Sequence, residues 1–172
     1  ARAVDLSGTA RASGEASASL GETYAQRENW DNIPIEDDFV FIEECGPWAV
    51  SSIGINITPS WATVTRVFYT VWVSHPQVSD LNLDIGNEQS GGYQVWNRLG
   101  GDSDDGFDDD ADDDKDIELL YREVDYFNGD LVNGLWWLRA EDCAYLNTGT
   151  IEHFLIRVYY WDCQLPGVPS NP

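Results

Sequence analysis

The sequence predicts an all-β sandwich preceded by an extended N-terminal strand arm, and three observations carry that reading. Short segments rich in β-branched and aromatic residues alternate with clusters of Gly, Asn and Asp along most of the chain. No stretch shows the 3.6-residue apolar period of a long amphipathic helix. Residues 4–20 keep strict parity: Val4, Leu6, Gly8, Ala10, Ala12, Gly14, Ala16, Ala18 and Leu20 are apolar or small, and every residue between them is polar. That is the two-residue period of a half-buried strand.

The elements follow in chain order. The arm comes first, and fully extended it runs about 56 Å, whereas a core strand of eight residues spans only about 26 Å. Residues 63–73 (TVTRVFYTVWV) are dense in β-branched and aromatic side chains, which fit a pleated surface. Leu81, Leu83 and Ile85 alternate with Asn82 and Asp84, again one face in and one face out. Residues 94–99, 135–140 and 151–161 supply further strands, and the last two are expected to form a closing hairpin. Gly91-Gly92, Gly100-Gly101, Asn128-Gly129 and Asn133-Gly134 punctuate them with residues that tolerate positive φ. The tail LPGVPSNP, from Leu165, is too rich in Pro to be a strand. The organisation expected is an arm over residues 1–32, a sandwich over 33–161 and a tail over 162–172.

Composition narrows the function. With 172 residues, 42% of them hydrophobic, the chain is long enough for one domain with its own core. It shows no charged-then-apolar leader and no apolar run of membrane-spanning length, and it reads as a mature, soluble, secreted chain. A formal charge of −22 argues against nucleic acid, whose phosphates call for Lys and Arg. Residues 102–118 hold eleven acids and one Lys; of 31 acids and nine bases, twenty and eight remain elsewhere, so the acidity is general as well as local. The eight Arg beside a single Lys and the absence of Met suit a salt-rich or harsh extracellular setting.

Six motifs occur in sequence: IPIEDD (33–38), HPQVSDL (75–81), NRLGG (97–101), DGFDD (105–109), FNGDLVNGLWWL (127–138) and GTIEHFLIRV (149–158). Together they resemble the P domain, or Homo B domain, that follows the catalytic domain of subtilisin/kexin-like proprotein convertases. The resemblance covers residues 33–161. It implies a jelly-roll β-sandwich that is not itself catalytic, often binds calcium and usually stabilises a protease. No protease domain accompanies the motifs here, and the first 32 residues lie outside them.

The acidic run is the strongest chemical signal, because closely packed carboxylates repel one another unless water or a hard cation intervenes. Ca2+ takes six to eight oxygens in flexible geometry, and Asp102, Asp104, Asp105, Asp108, Asp109, Asp110 and Asp112 can supply them. An EF-hand register fails, since Gly106 at position six puts Asp112 where Glu is required. The resemblance adds Asp80, at the place of a Gly-Asp-Leu aspartate, and singles out Asp105 and Asp109 in a Gly-Phe-x-Asp loop; Asp142, at the end of the Trp-Trp-Leu strand, joins them. It also assigns His75 a structural role. His75 with Asp80, and His153 with nearby acids, lack a nucleophile and an oxyanion donor set, so no enzyme is expected. No nucleophile elbow or subtilisin-type serine motif is present.

Eight Trp and eight Tyr suit either a core or a sugar-stacking surface. In the family register, Leu135 and Trp137 fall on positions that are usually polar, and Trp72 replaces an outward polar residue. Leu155 and Tyr159 lie on the outward parity of the final strand. A face that should be wet is apolar, which marks an interface. Asn56-Ile57-Thr58 is a glycosylation sequon, a pattern frequent by chance. Three cysteines leave one unpaired within the chain. If the first and last core strands are antiparallel neighbours, as in many jelly rolls, Cys45 meets Cys163.

The leading expectation is a subunit of a secreted homo-oligomer, a pilus-like filament or surface layer. Val4, Leu6, Ala10, Ala12, Ala16, Ala18 and Leu20 would add a strand to a neighbouring copy beside Trp72, Leu135, Trp137, Leu155 and Tyr159. An accessory domain of a subtilisin-like protease and a carbohydrate-binding or adhesion module are the alternatives.

Overall fold

The chain passes back and forth between two sheets, with Leu81–Asn87 and Gly91–Trp96 a hairpin within one of them. The computed structural model describes residues 21–36, 45–97, 116–143 and 147–162. β1 (Gly21–Asn29), β2 (Ile33–Ile35), β4 (Val64–Ser74), β7 (Asp116–Val124) and β9 (Gly149–Asp162) form the first sheet, in the order β1-β9-β4-β7, with β2 continuing β1 along β9. β3 (Ala49–Ile55), β5 (Leu81–Asn87), β6 (Gly91–Trp96) and β8 (Gly134–Asp142) form the second, in the order β3-β8-β5-β6. All pairings are antiparallel. With β1 and β2 counted as one broken strand, this is the eight-strand order of a jelly roll. Among the described residues the helical content is one 3-10 turn, Val78–Asp80, and no helix is long and apolar enough to cross a membrane.

The inward parity is that expected from the sequence. Leu81, Leu83 and Ile85 of β5, Trp136, Leu138 and Ala140 of β8, and Val67, Val71 and Val73 of β4 are buried against Phe154, Ile156 and Val158 of β9 in one core. Two buried indoles find carbonyls, with Trp136 Nε1 donating to Val132 O at 3.1 Å and Trp96 Nε1 to Val78 O at 3.0 Å, whereas Trp137 Nε1 is buried without a partner. A buried indole left without an acceptor would lose about 1–3 kcal/mol.

Several expectations are corrected. Residues 21–29, assigned to the arm, pair with β9 along their whole length. Residues 135–140 and 151–161 do not form a hairpin; β8 and β9 lie in opposite sheets. Cys45 is bonded to Cys143 rather than to Cys163, with an S–S distance of 2.03 Å. The reason is topological: β3, which follows Cys45, pairs with β8, so Ala49 sits opposite Ala140 and the chain before β3 emerges beside the end of β8. β9, which precedes Cys163, neighbours β1, β2 and β4 instead. Cys163 itself, the arm residues 4–20, the acidic residues 102–112 and the tail from residue 163 lie outside the described residues.

Candidate functional site

Two regions gather chemistry-bearing side chains: one end of the sandwich, and the outer face of its first sheet. At the end, His75 leaves β4 and Asp142 closes β8, and both side chains are fully buried. His75 Nε2 lies 3.2 Å from Asp142 Oδ2, and its Nδ1 lies 2.8 Å from the Gln77 carbonyl oxygen. Gly149 is required beside this pair, because a Cβ there would come within 2.5 Å of His75 Cδ2. With both ring nitrogens occupied and no solvent access, His75 holds the end of the fold together, the structural role the resemblance implies.

Asp80 stands next to this pair, on the 3-10 turn. Burial, then the neighbouring Asp142 carboxylate, push its pKa above the usual aspartate range, against His75 and a hydrogen bond from Asn147. The Cys143 amide donates to the Asp80 carbonyl at 3.0 Å, and the Gly46 amide donates to the Asp142 carbonyl. The disulfide therefore ties down the backbone that carries both acids.

Of the acids expected to hold a metal, the described residues contain Asp80, which is partly buried, and Asp142, which is sealed from solvent with Oδ2 beside His75 Nε2. Cys45, Glu141 and Cys143 also converge, but the disulfide consumes both thiols.

The interface expectation divides. Trp72, Leu155 and Tyr159 lie on the outward parity of β4 and β9, in the first sheet, whereas Leu135 and Trp137 lie on the outward parity of β8, in the second. They occupy opposite faces of the sandwich and cannot form one patch. On the second face Trp137 packs over Gly86, where a Cβ would approach the ring to 2.7 Å, and Arg139 covers it with its guanidinium 4.6 Å from the ring centroid. Trp137 is left 8% exposed.

The first face is built differently. Residues 30–32 join β1 to β2 opposite only Glu152 and His153, so the broken strand has one residue too many and Trp30 is pushed outward. The Asn29 side chain fixes this bend by accepting the Asp31 amide at 2.9 Å. Trp30 stacks on His153 with centroids 3.7 Å apart, Trp72 meets His153 edge-on at 5.1 Å, and His153 Nε2 faces Glu28 Oε2 at 3.2 Å. Beneath the rings, Trp72 Nε1 and His153 Nδ1 are buried without a hydrogen-bond partner.

Further along β9, Arg157 lies between the rings of Tyr24 and Tyr121, 4.7 and 5.2 Å from their centroids. Its Nε donates to Gln26 Oε1 at 2.7 Å, and its terminal nitrogens to the hydroxyls of Tyr121 at 3.2 Å and Tyr159 at 3.5 Å. Tyr121 reaches over β4 because β7 bulges there. The pairing register shifts between Tyr69 and Val71, Tyr121 has φ of 51°, and its amide donates to Thr70 Oγ1. A left-handed φ on a β-strand aromatic costs roughly 1–3 kcal/mol. Arg66, one row away, is paired with Glu22 and lies 4.6 Å from the Tyr159 ring centroid.

Sequence reasoning found Trp72, Leu155 and Tyr159 but missed Trp30, Tyr24, Tyr121 and Arg157. Arg157 shares the outward parity of Leu155 and Tyr159 and was legible on that ground. Trp30 and Tyr121 owe their positions to bulges, which leave no periodic trace.

No protein-family model matches the sequence, and no curated protein matches it. Solved structures do, two of them of a serine protease. The serine protease of Aeromonas sobria in complex with its chaperone matches with a TM-score of 0.54 and 14% identity, over 83% of this chain and 28% of that chain. The serine protease of Aeromonas sobria determined without the chaperone matches with a TM-score of 0.54 and 16% identity, over 81% of this chain and 27% of that one. This chain thus spans little more than a quarter of the protease it resembles, and what the two share is the fold of a β-sandwich.

Proposed function

We propose that the chain is a non-catalytic, secreted β-sandwich that accompanies and stabilises a subtilisin-like serine protease. The observation that carries this reading is the likeness of the jelly roll to about a quarter of a serine protease chain, together with the ordered motifs that resemble a P domain. His75, a candidate for acid–base work beside carboxylates, is sealed and fully bonded. Strand exchange into a filament takes second place, since its motivating residues, 4–20, lie outside the described part and its expected docking patch is divided between two faces. Within the accessory reading, Ca2+ is proposed for Asp80 and the acidic run, where it would offset carboxylate repulsion.

Light scattering tests the ranking. The accessory reading expects a monomer of 19.3 kDa with or without calcium; a concentration-dependent multimer would restore the filament. Chelation is expected to lower the melting temperature by several degrees in moderate salt, and identical melting curves in chelator and millimolar calcium would remove the metal.

A further inference from the structure

Arg157, like Arg27, lacks a carboxylate partner among the described residues, but unlike Arg27 it is fixed by three side chains and lies between two aromatic rings. In a chain of net charge −22, it is a cation whose hydrogen bonds all go to neutral acceptors: an amide oxygen and two phenol hydroxyls. Among the described residues no carboxylate pairs with it, whereas its neighbour Arg66 is neutralised by Glu22. Two of the rings that hold it, Tyr24 and Tyr121, are 51% and 55% exposed, so the cradle opens outward. One of them is held there at the cost of a left-handed backbone, the kind of local strain that persists where a side chain must be aimed. A guanidinium kept rigid by neutral partners, with part of its surface facing out, is pre-organised for a planar anion.

We propose that the outer face of the first sheet docks a polypeptide partner whose Asp or Glu carboxylate seats on Arg157 within the cradle of Tyr24, Gln26, Tyr121 and Tyr159. Charge complementarity sets the anion. The surroundings set the polypeptide: beside and beyond Arg157 the face continues through the half-buried Phe68 and Trp72, apolar rings that suit side chains flanking a carboxylate better than sugar hydroxyls. Tyr24 and Tyr121 each turn a ring face to the guanidinium, and Trp30 turns one to His153, so the faces a sugar would stack on are partly spent. The inference rests on the accessory-domain reading for the existence of a polypeptide partner; carboxylate selection by Arg157 is measured separately.

The test titrates the full chain with the capped peptides Ac-Leu-Glu-Phe-NH2 and Ac-Leu-Gln-Phe-NH2 and with tri-galacturonate, following the Arg157 Nε–H resonance. The Glu peptide is expected to bind at least tenfold more tightly than the Gln peptide. Arg157→Gln should erase that difference. Arg157→Lys, which keeps the charge but not the fork, should recover only a minor part of it. Tyr121→Phe, which keeps the ring and so the packing, should weaken the Glu peptide several-fold with an unchanged melting curve. Equal affinity for the two peptides, or selectivity that survives Arg157→Gln, overturns the site while leaving the accessory reading to its light-scattering test. Tighter, Arg157-dependent binding of tri-galacturonate overturns the polypeptide assignment. A multimer in light scattering with Glu selectivity intact would sink the accessory reading alone.

Discussion

The two outer faces of the sandwich start from the same rule and end differently. Strand parity says that both should be wet, and both carry large apolar side chains. On the second face Trp137 lies in the gap left by Gly86 and beneath Arg139, so the chain covers this ring, although Leu135 and Val50 on the same face stay exposed. On the first, Tyr24 and Tyr121 stay about half exposed around Arg157, a cation without a carboxylate partner. Apolar content alone therefore does not mark an interface. Whether neighbours in the same chain complete each side chain is the better criterion.

That contrast can be broken by substitution. The largest effect belongs to the self-covered ring: Trp137→Ala is expected to cost about 2–3 kcal/mol in urea unfolding, because it removes a nearly buried ring and leaves Gly86 uncovered. A loss below 1 kcal/mol would mean that Trp137 is not part of the fold's own packing. On the open face, Trp30→Ala should cost only about 1 kcal/mol, the size of a stacked aromatic contact, since the same change lets water reach the unpaired Nδ1 of His153. A cost equal to that of Trp137→Ala would erase the distinction between the faces.

The smallest effect sharpens the contrast between faces and end, and depends on pH. The folded-state pKa of Asp80 is raised, so the native state holds its proton more readily than the unfolded chain does. Asp80 therefore weakens the fold as pH climbs from about 4 through its folded-state value, and the penalty vanishes below the unfolded pKa near 3.8. Measured in chelator, Asp80→Asn should gain stability at pH 7 and next to none at pH 3.5. A gain that does not change with pH would point to a cause other than ionisation.

How much of this was legible depends on the range of the interaction. Parity is local, and it placed Leu81, Leu83 and Ile85 inward and Leu155 and Tyr159 outward, while the family register placed Trp72 outward. Pairing is not local. Nothing near Cys45 in the sequence tells that β3 lies beside β8, so the disulfide expected with Cys163 forms with Cys143. Treating Leu135 and Trp137 as neighbours of Trp72 fails for the same reason, since each strand's parity was right but the sheets were not known. β1 was missed because GETYAQREN buries only Ala25 and reads as a polar edge. β7 was missed because its start lies inside the acidic run and its period breaks at Tyr121.

The central claim is that the Arg157 cradle on the first face is kept for a partner and Trp137 on the second for the fold. Urea unfolding of Arg157→Gln beside Trp137→Ala tests it most directly. The account predicts that Arg157→Gln costs below about 1 kcal/mol, as a half-buried cation between aromatic rings should, and that Trp137→Ala costs at least twice as much. If Arg157→Gln destabilises the chain as strongly as Trp137→Ala does, the tyrosine cradle is part of the fold's own packing and is not reserved for a partner.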